Sequence, residues 1–85
     1  MTHVSTSPRE LLEVLVKGLV STPEDVVVKE TQEDARTTVL ELSVAQDDYG
    51  NVIGRGGRTA GALRTVVKSA AAEQGARVFV DIVDS

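Results

Sequence analysis

The sequence predicts an α+β fold: a three-stranded mixed sheet with three helices packed on one face. Three observations carry that expectation. Apolar residues recur at helical spacing over 11–19 and again over 60–70. Apolar and polar residues alternate over 36–45 and 77–84, the mark of half-buried strands. The segment between those strands is long enough for two helices, which suits a crossover between parallel strands better than a hairpin.

The first helix has a clear start. Ser7-Pro8-Arg9-Glu10 forms a capping box: Ser7 accepts from the backbone N–H of Glu10, and Glu10 reaches back to Ser7. Pro8 falls where its missing N–H costs nothing. Leu11, Leu12, Leu15, Val16 and Leu19 make the apolar stripe, and Ser21-Thr22-Pro23 is expected to end the helix. A first strand is expected over 25–32, around Val26-Val27-Val28. Glu33-Asp34-Ala35 then turns the chain into a second strand over 36–45, with Leu40, Leu42 and Val44 on one face. Asp47-Asp48 is expected to cap a short helix running through Asn51, Val52 and Ile53, beside a partly buried Tyr49. An adjacent carboxylate pair can also suggest catalysis, but neighbouring side chains rarely converge, so the cap is preferred. The long helix is placed from Arg58 to Gln74, with Ala60, Leu63, Val66, Val67 and Ala70 buried and Gly75 closing it. The third strand runs from Arg77 to Asp84, with Val78, Val80 and Ile82 inward and Phe79 outward. Residues 1–6, with His3, are expected to form a flexible N-terminus, and 7–84 a single domain.

Composition narrows the function. A chain of 85 residues holds one domain with a limited core. With no cysteine, disulfides and thiolate metal sites are excluded. A single histidine leaves no credible zinc site or Ser-His-Asp triad, so neither an enzyme nor a cofactor is expected. The remaining source of extra stability is a second subunit. The N-terminus has neither a basic region nor an apolar run, and nothing approaches the roughly 20 residues that span a bilayer. A cytoplasmic protein with no membrane partner is expected.

Net charge is −4, unfavourable for nucleic acid in sum. The distribution matters more. Residues 49–72 hold Arg55, Arg58, Arg64 and Lys68 with no Asp or Glu, a block of +4; the other five basic and thirteen acidic residues give −8.

That block contains the informative string, Val52-Ile53-Gly54-Arg55-Gly56-Gly57-Arg58-Thr59. Glycines cost conformational entropy, so something must need the bare backbone. A loop without side chains lets a sugar-phosphate chain approach main-chain N–H groups, and the following helix start adds donors and partial positive charge. Arg55 and Arg58 flank the spot, and Thr59 offers a hydroxyl. A Walker-type loop needs a lysine that is missing here. The dinucleotide fingerprint needs another glycine spacing directly after a strand. A plain helix–helix turn needs one glycine and no apolar Val52-Ile53 before it.

The remaining reading is a KH domain, whose Gly-x-x-Gly loop clamps the backbone of about four unpaired nucleotides. Gly54-Arg55-Gly56-Gly57, preceded by Val52-Ile53, followed by Arg58 and set between two helices, resembles that loop. The element order resembles the type II KH arrangement from Ser7 to Asp84. Asp48-Tyr49-Gly50-Asn51 leading into the loop, and the chain length, resemble the short bacterial single-KH proteins of the KhpA type. The resemblance implies a non-catalytic protein that binds single-stranded RNA, as a post-transcriptional regulator or RNA chaperone. It implies that Gly54, Arg55, Gly56 and Gly57 form the clamp. Val52, Ile53 and Ala62 would line the groove for the bases, while Arg58 and Arg64 contact phosphate or sugar and Thr59, with its hydroxyl, joins the RNA-binding residues. It also implies a homodimer. The alternative is a protein-interaction or dimerisation module partnering a larger, Jag-type KH protein. The sequence departs from the family at Asn51, where many relatives carry a basic residue. Only Tyr49 and Phe79 are aromatic, too few for the stacking surfaces of RRM or cold-shock domains.

Overall fold

The computed structural model describes residues 7–83. The expected residues 1–6 segment, with His3, and the boundary at Asp84 lie outside the described residues. In chain order the elements are α1 (Pro8–Lys17), β1 (Val27–Gln32), β2 (Thr37–Ser43), α2 (Tyr49–Ile53), α3 (Arg58–Glu73) and β3 (Arg77–Ile82). Short 3-10 turns cover Pro23–Asp25, Gln46–Asp48 and Arg55–Gly57. The sheet order is β1-β2-β3, with β1 antiparallel and β3 parallel to β2. The predicted α+β arrangement with a mixed sheet is the one observed.

Local chemistry accounts for most of the elements. Ser7 Oγ accepts from the Glu10 N–H at 3.2 Å, and Pro8 opens α1. The Glu10 carboxylate does reach back, but it accepts from the Ser7 hydroxyl at 3.1 Å rather than from the Ser7 backbone. Asp34 Oδ1 accepts from the Arg36 N–H at 2.9 Å, which tightens the turn between β1 and β2. At the far end of α3 the Ala76 N–H donates to Ala71 O at 2.9 Å and the Gly75 N–H to Ala72 O at 3.0 Å. This is the Schellman pattern, and it needs the left-handed φ of +71° that Gly75 adopts.

Leu40, Leu42 and Val44 of the second strand segment face the helices and are buried, as are Val78 and Val80 of β3. Leu12 and Val16 cover them from α1, and Ala60, Leu63, Val67 and Ala71 from α3. The α3 stripe therefore differs from the predicted one. Val66 is 46% exposed, and Ala71 replaces Ala70 inside, because the sheet meets a narrower arc of the helix than the sequence pattern suggests. Tyr49 is partly buried against the core, as expected.

Two further expectations are corrected by one side chain. Asp48 does not cap α2 through its carboxylate. It is almost completely buried, with Oδ1 accepting from the Ser21 N–H at 2.9 Å and Oδ2 from the Thr22 N–H at 3.0 Å. The link also explains why α1 stops at Lys17, short of Ser21, leaving Leu19 44% exposed. The chain must leave the helix early enough to present two consecutive N–H groups to a carboxylate 27 residues away. The donation from Ser21, helped by Thr22 and Asn51 against the opposing cost of burial, holds the Asp48 carboxyl below its ordinary value of 3.8. Asp34 is lowered likewise, first by the Arg36 N–H and then by the Thr37 hydroxyl.

Asp48→Ala orphans both N–H groups and is expected to lower the Tm by on the order of 10 °C. The depressed folded pKa means that the ionised carboxylate stabilises the fold above about pH 4 and loses that effect as pH falls through the lower folded value. Thermal melts between pH 2 and 7 should therefore show a shallower acid limb for Asp48→Asn than for wild type, with the Asp34 contribution remaining.

Candidate nucleic-acid interface

The loop between α2 and α3 is shaped by glycine backbone angles. Gly54 closes α2, donating its N–H to Gly50 O at 2.8 Å, with φ +74°. Arg55 to Gly57 make one 3-10 turn, in which the Gly57 N–H reaches Gly54 O at 3.2 Å. Gly56 and Gly57 have φ of +64° and +77°. Three left-handed residues in four positions explain the glycines without invoking a ligand. Their functional consequence is a tight turn that is bare at Gly56 and Gly57, where an added Cβ would meet nothing within 4 Å.

Gly54 differs. A Cβ there would collide with Thr59, lying 2.7 Å from its Cβ and 2.9 Å from its backbone N, and closer still to Oγ1. Thr59 thus packs against the loop from the first turn of α3. The N-terminus of α3, a helix of 16 residues, receives no side-chain cap; the N-cap is Gly57. The Arg58 N–H is taken by Arg55 O, and the partial positive charge of the helix start meets the surface beside the exposed Arg55 and Arg58.

The other expected site residues are divided. Val52 is fully buried in the core, so it offers no surface to a base and instead holds α2 in place. Ile53 is half-buried. Ala62 is exposed and lines an apolar groove of about 260 Å³ with Leu15, Leu19, Thr59, Leu63 and Val66, on the α1 side of α3. Arg64, two residues on, points to the opposite flank: its Nε donates to Val80 O of β3 at 3.1 Å. Ala62 and Arg64 therefore do not share one face. Lys68, Arg77 and Phe79 were not anticipated as neighbours. They gather on the Arg64 flank, with Lys68 Nζ 5.6 Å from the Phe79 ring centre. Helical spacing from Arg64 to Lys68 was the available signal; the partnership with β3 had none.

Among the described residues no cluster of His, Asp and Glu could hold a metal ion, and no helix is long and apolar enough to cross a membrane. A mixed sheet under three helices, with a Gly-x-x-Gly turn joining the second and third, defines a type II KH domain. The family described as "KhpA/KhpB, KH domain" matches residues 9–82. RNA-binding protein KhpA of Streptomyces coelicolor is 55% identical over 75 residues, covering 88% of this chain and 90% of its own. RNA-binding protein KhpA of Halalkalibacterium halodurans is 49% identical over 76 residues, covering 89% and 99%. That of Clostridium perfringens is 47% identical over 75 residues, covering 88% and 99%. The chain belongs to the KhpA/KhpB family of KH-domain proteins.

The loop geometry separates two glycines that look alike in sequence. Gly56→Ala has room and should cost only the left-handed penalty, about 1–2 kcal/mol. Gly54→Ala adds the collision with Thr59 and should cost clearly more. Urea denaturation of the two variants checks the order.

Proposed function

We propose that this chain binds single-stranded RNA without catalysing a reaction, using Gly54 to Gly57 as a clamp on the sugar-phosphate backbone. The observation that carries the reading is the uncapped N-terminus of α3, set behind bare glycine backbone and flanked by exposed Arg55 and Arg58. A phosphate supplies the negative charge that such a helix start lacks. Three family members bear the name RNA-binding protein, which agrees with this chemistry. Arg58 and Arg64 serve as phosphate or sugar contacts, Ile53 borders the bases, Thr59 braces the loop and Val52 supports α2 from beneath. The cellular role is post-transcriptional regulation or RNA chaperoning in the cytoplasm.

Titration of a single-stranded RNA with wild type, Gly56→Asp and the pair Arg55→Asp/Gly56→Asp tests the clamp. Each variant should bind at least tenfold more weakly, since a carboxylate then stands where phosphate approaches. Equal affinities would overturn the reading. Wild-type affinity should also fall with salt, with a log–log slope of about −2 for three phosphate contacts.

A specific observation supports a second role, as a homodimer. Leu15, Leu19, Ala62 and Val66 form an almost purely apolar exposed groove between α1 and α3. The small core leaves the domain something to gain from covering it. A second copy presents the same uncharged surface; a larger Jag-type KH protein is the alternative occupant. Val66→Glu, at a half-exposed position, should leave the fold intact and shift sedimentation from dimer to monomer at tens of micromolar. A wild type that is monomeric there would count against self-association.

A further inference from the structure

Among the described residues Asp48 is the only buried side chain that is polar or charged, and the RNA-binding reading makes no use of it. The ordinary explanation is stability. Its two oxygens accept from the Ser21 and Thr22 N–H groups at 2.9 and 3.0 Å, and among the described residues no buried side-chain polar atom is left without a partner. That accounts for a satisfied carboxylate. It does not account for its place in the chain, directly before α2.

The weakness of α2 explains the place. The helix has five residues, too few to keep a helical shape by their own hydrogen bonds. It leads straight into Gly54, and Gly54, Gly56 and Gly57 beyond it all have left-handed φ. Gly54 lies six residues past Asp48, on the order of 9 Å along a helix. The same carboxylate also takes a hydrogen bond from the side chain of Asn51, within α2. Asp48 therefore grips the α1–β1 connection and the short helix together.

That connection reaches the other end of the loop as well. Leu19, two residues before Ser21, lines the apolar groove together with Thr59. Thr59 packs against Gly54, where an added Cβ would stand 2.7 Å from the Thr59 Cβ. The stretch from Leu19 to Thr22 thus braces the loop twice, through Asp48 at its entry and beside Thr59 at its exit.

We propose that Asp48 is a positioning residue for RNA binding: by tying the α1–β1 connection to the threshold of α2, it holds the glycine loop in the shape that receives phosphate. A loop ordered before RNA arrives loses less conformational freedom on binding. The clasp and the RNA are then coupled, and each favours the other by the same factor. The proposal rests on the RNA-binding reading above and adds a residue that touches no RNA.

On charge alone Asp48→Asn, which removes one negative charge, favours a polyanion. The positioning role demands the opposite: binding weaker by about 5- to 10-fold, the low end of coupling between sites. The probe is a labelled single-stranded RNA of random sequence, followed by anisotropy at a temperature where circular dichroism shows each variant folded. Val28→Ala removes buried methyl groups from β1, away from the loop, and controls for lost stability; it should bind as wild type does. Asp48→Asn should keep the wild-type salt slope, because no phosphate contact is lost. Hydrogen exchange of the wild type gives the reciprocal measurement. RNA should slow the Ser21 and Thr22 amides about 5- to 10-fold more than it slows those of β1. Undiminished binding by Asp48→Asn, an equal loss in Val28→Ala, or no added protection of the two amides overturns the proposal. If Gly56→Asp weakens binding while Asp48→Asn matches wild type, the clamp stands and the positioning role is wrong. If Gly56→Asp has no effect, both fail.

Discussion

Asp48 joins two parts of the chain that lie far apart in sequence. Its carboxylate takes the backbone N–H groups of Ser21 and Thr22, on the connection from α1 to β1, and it does so at the threshold of α2. A buried carboxylate is costly unless its oxygens are satisfied, and here two donors satisfy it. The consequence spreads outward. The connection from α1 to β1 is held at the threshold of α2, α2 is pinned with Val52 buried in the core, and the glycine loop leaves α2 from a fixed point. A loop of three left-handed glycines has little rigidity of its own, so its position depends on the elements that hold its two ends.

The second organising element is α3. Its buried arc closes the core, and each of its remaining surfaces has a different chemistry. The N-terminal end is cationic and uncapped. The flank toward α1 is apolar, with Ala62 and Val66. The flank toward β3 carries Arg64 and Lys68 and meets Phe79. A helix separates these functions because residues two apart point in nearly opposite directions. Ala62 and Arg64 illustrate this: adjacent in any linear account of a groove, they face different neighbours.

Charge gives the molecule a direction. The body is acidic, while the glycine loop and the β3 flank of α3 are basic. Positive charge on those surfaces attracts a polyanion there, and the acidic body repels it elsewhere.

Much of this was legible in the chain. The capping box, the alternation over Leu40, Leu42 and Val44, the run of glycines and the closing Gly75 are local signals, and each acts within a few residues. They determined the α+β class, the element order, the mixed sheet and the place of the loop. What the tertiary structure decided depends on groups far apart in sequence. Asp48 looked like a cap because a carboxylate before a helix usually finds the nearest N–H groups, yet its partners lie 27 and 26 residues away. Val52 looked like groove lining because its apolar character is the same whether it faces solvent or core. Val66 looked buried because helical periodicity names a stripe but not the width of the surface that covers it. Phe79 looked merely outward-facing because nothing in a strand reveals which helix packs along its edge. Local hydrogen bonding and periodicity are written in short windows of sequence; pairings across the fold arise only when packing brings distant windows together.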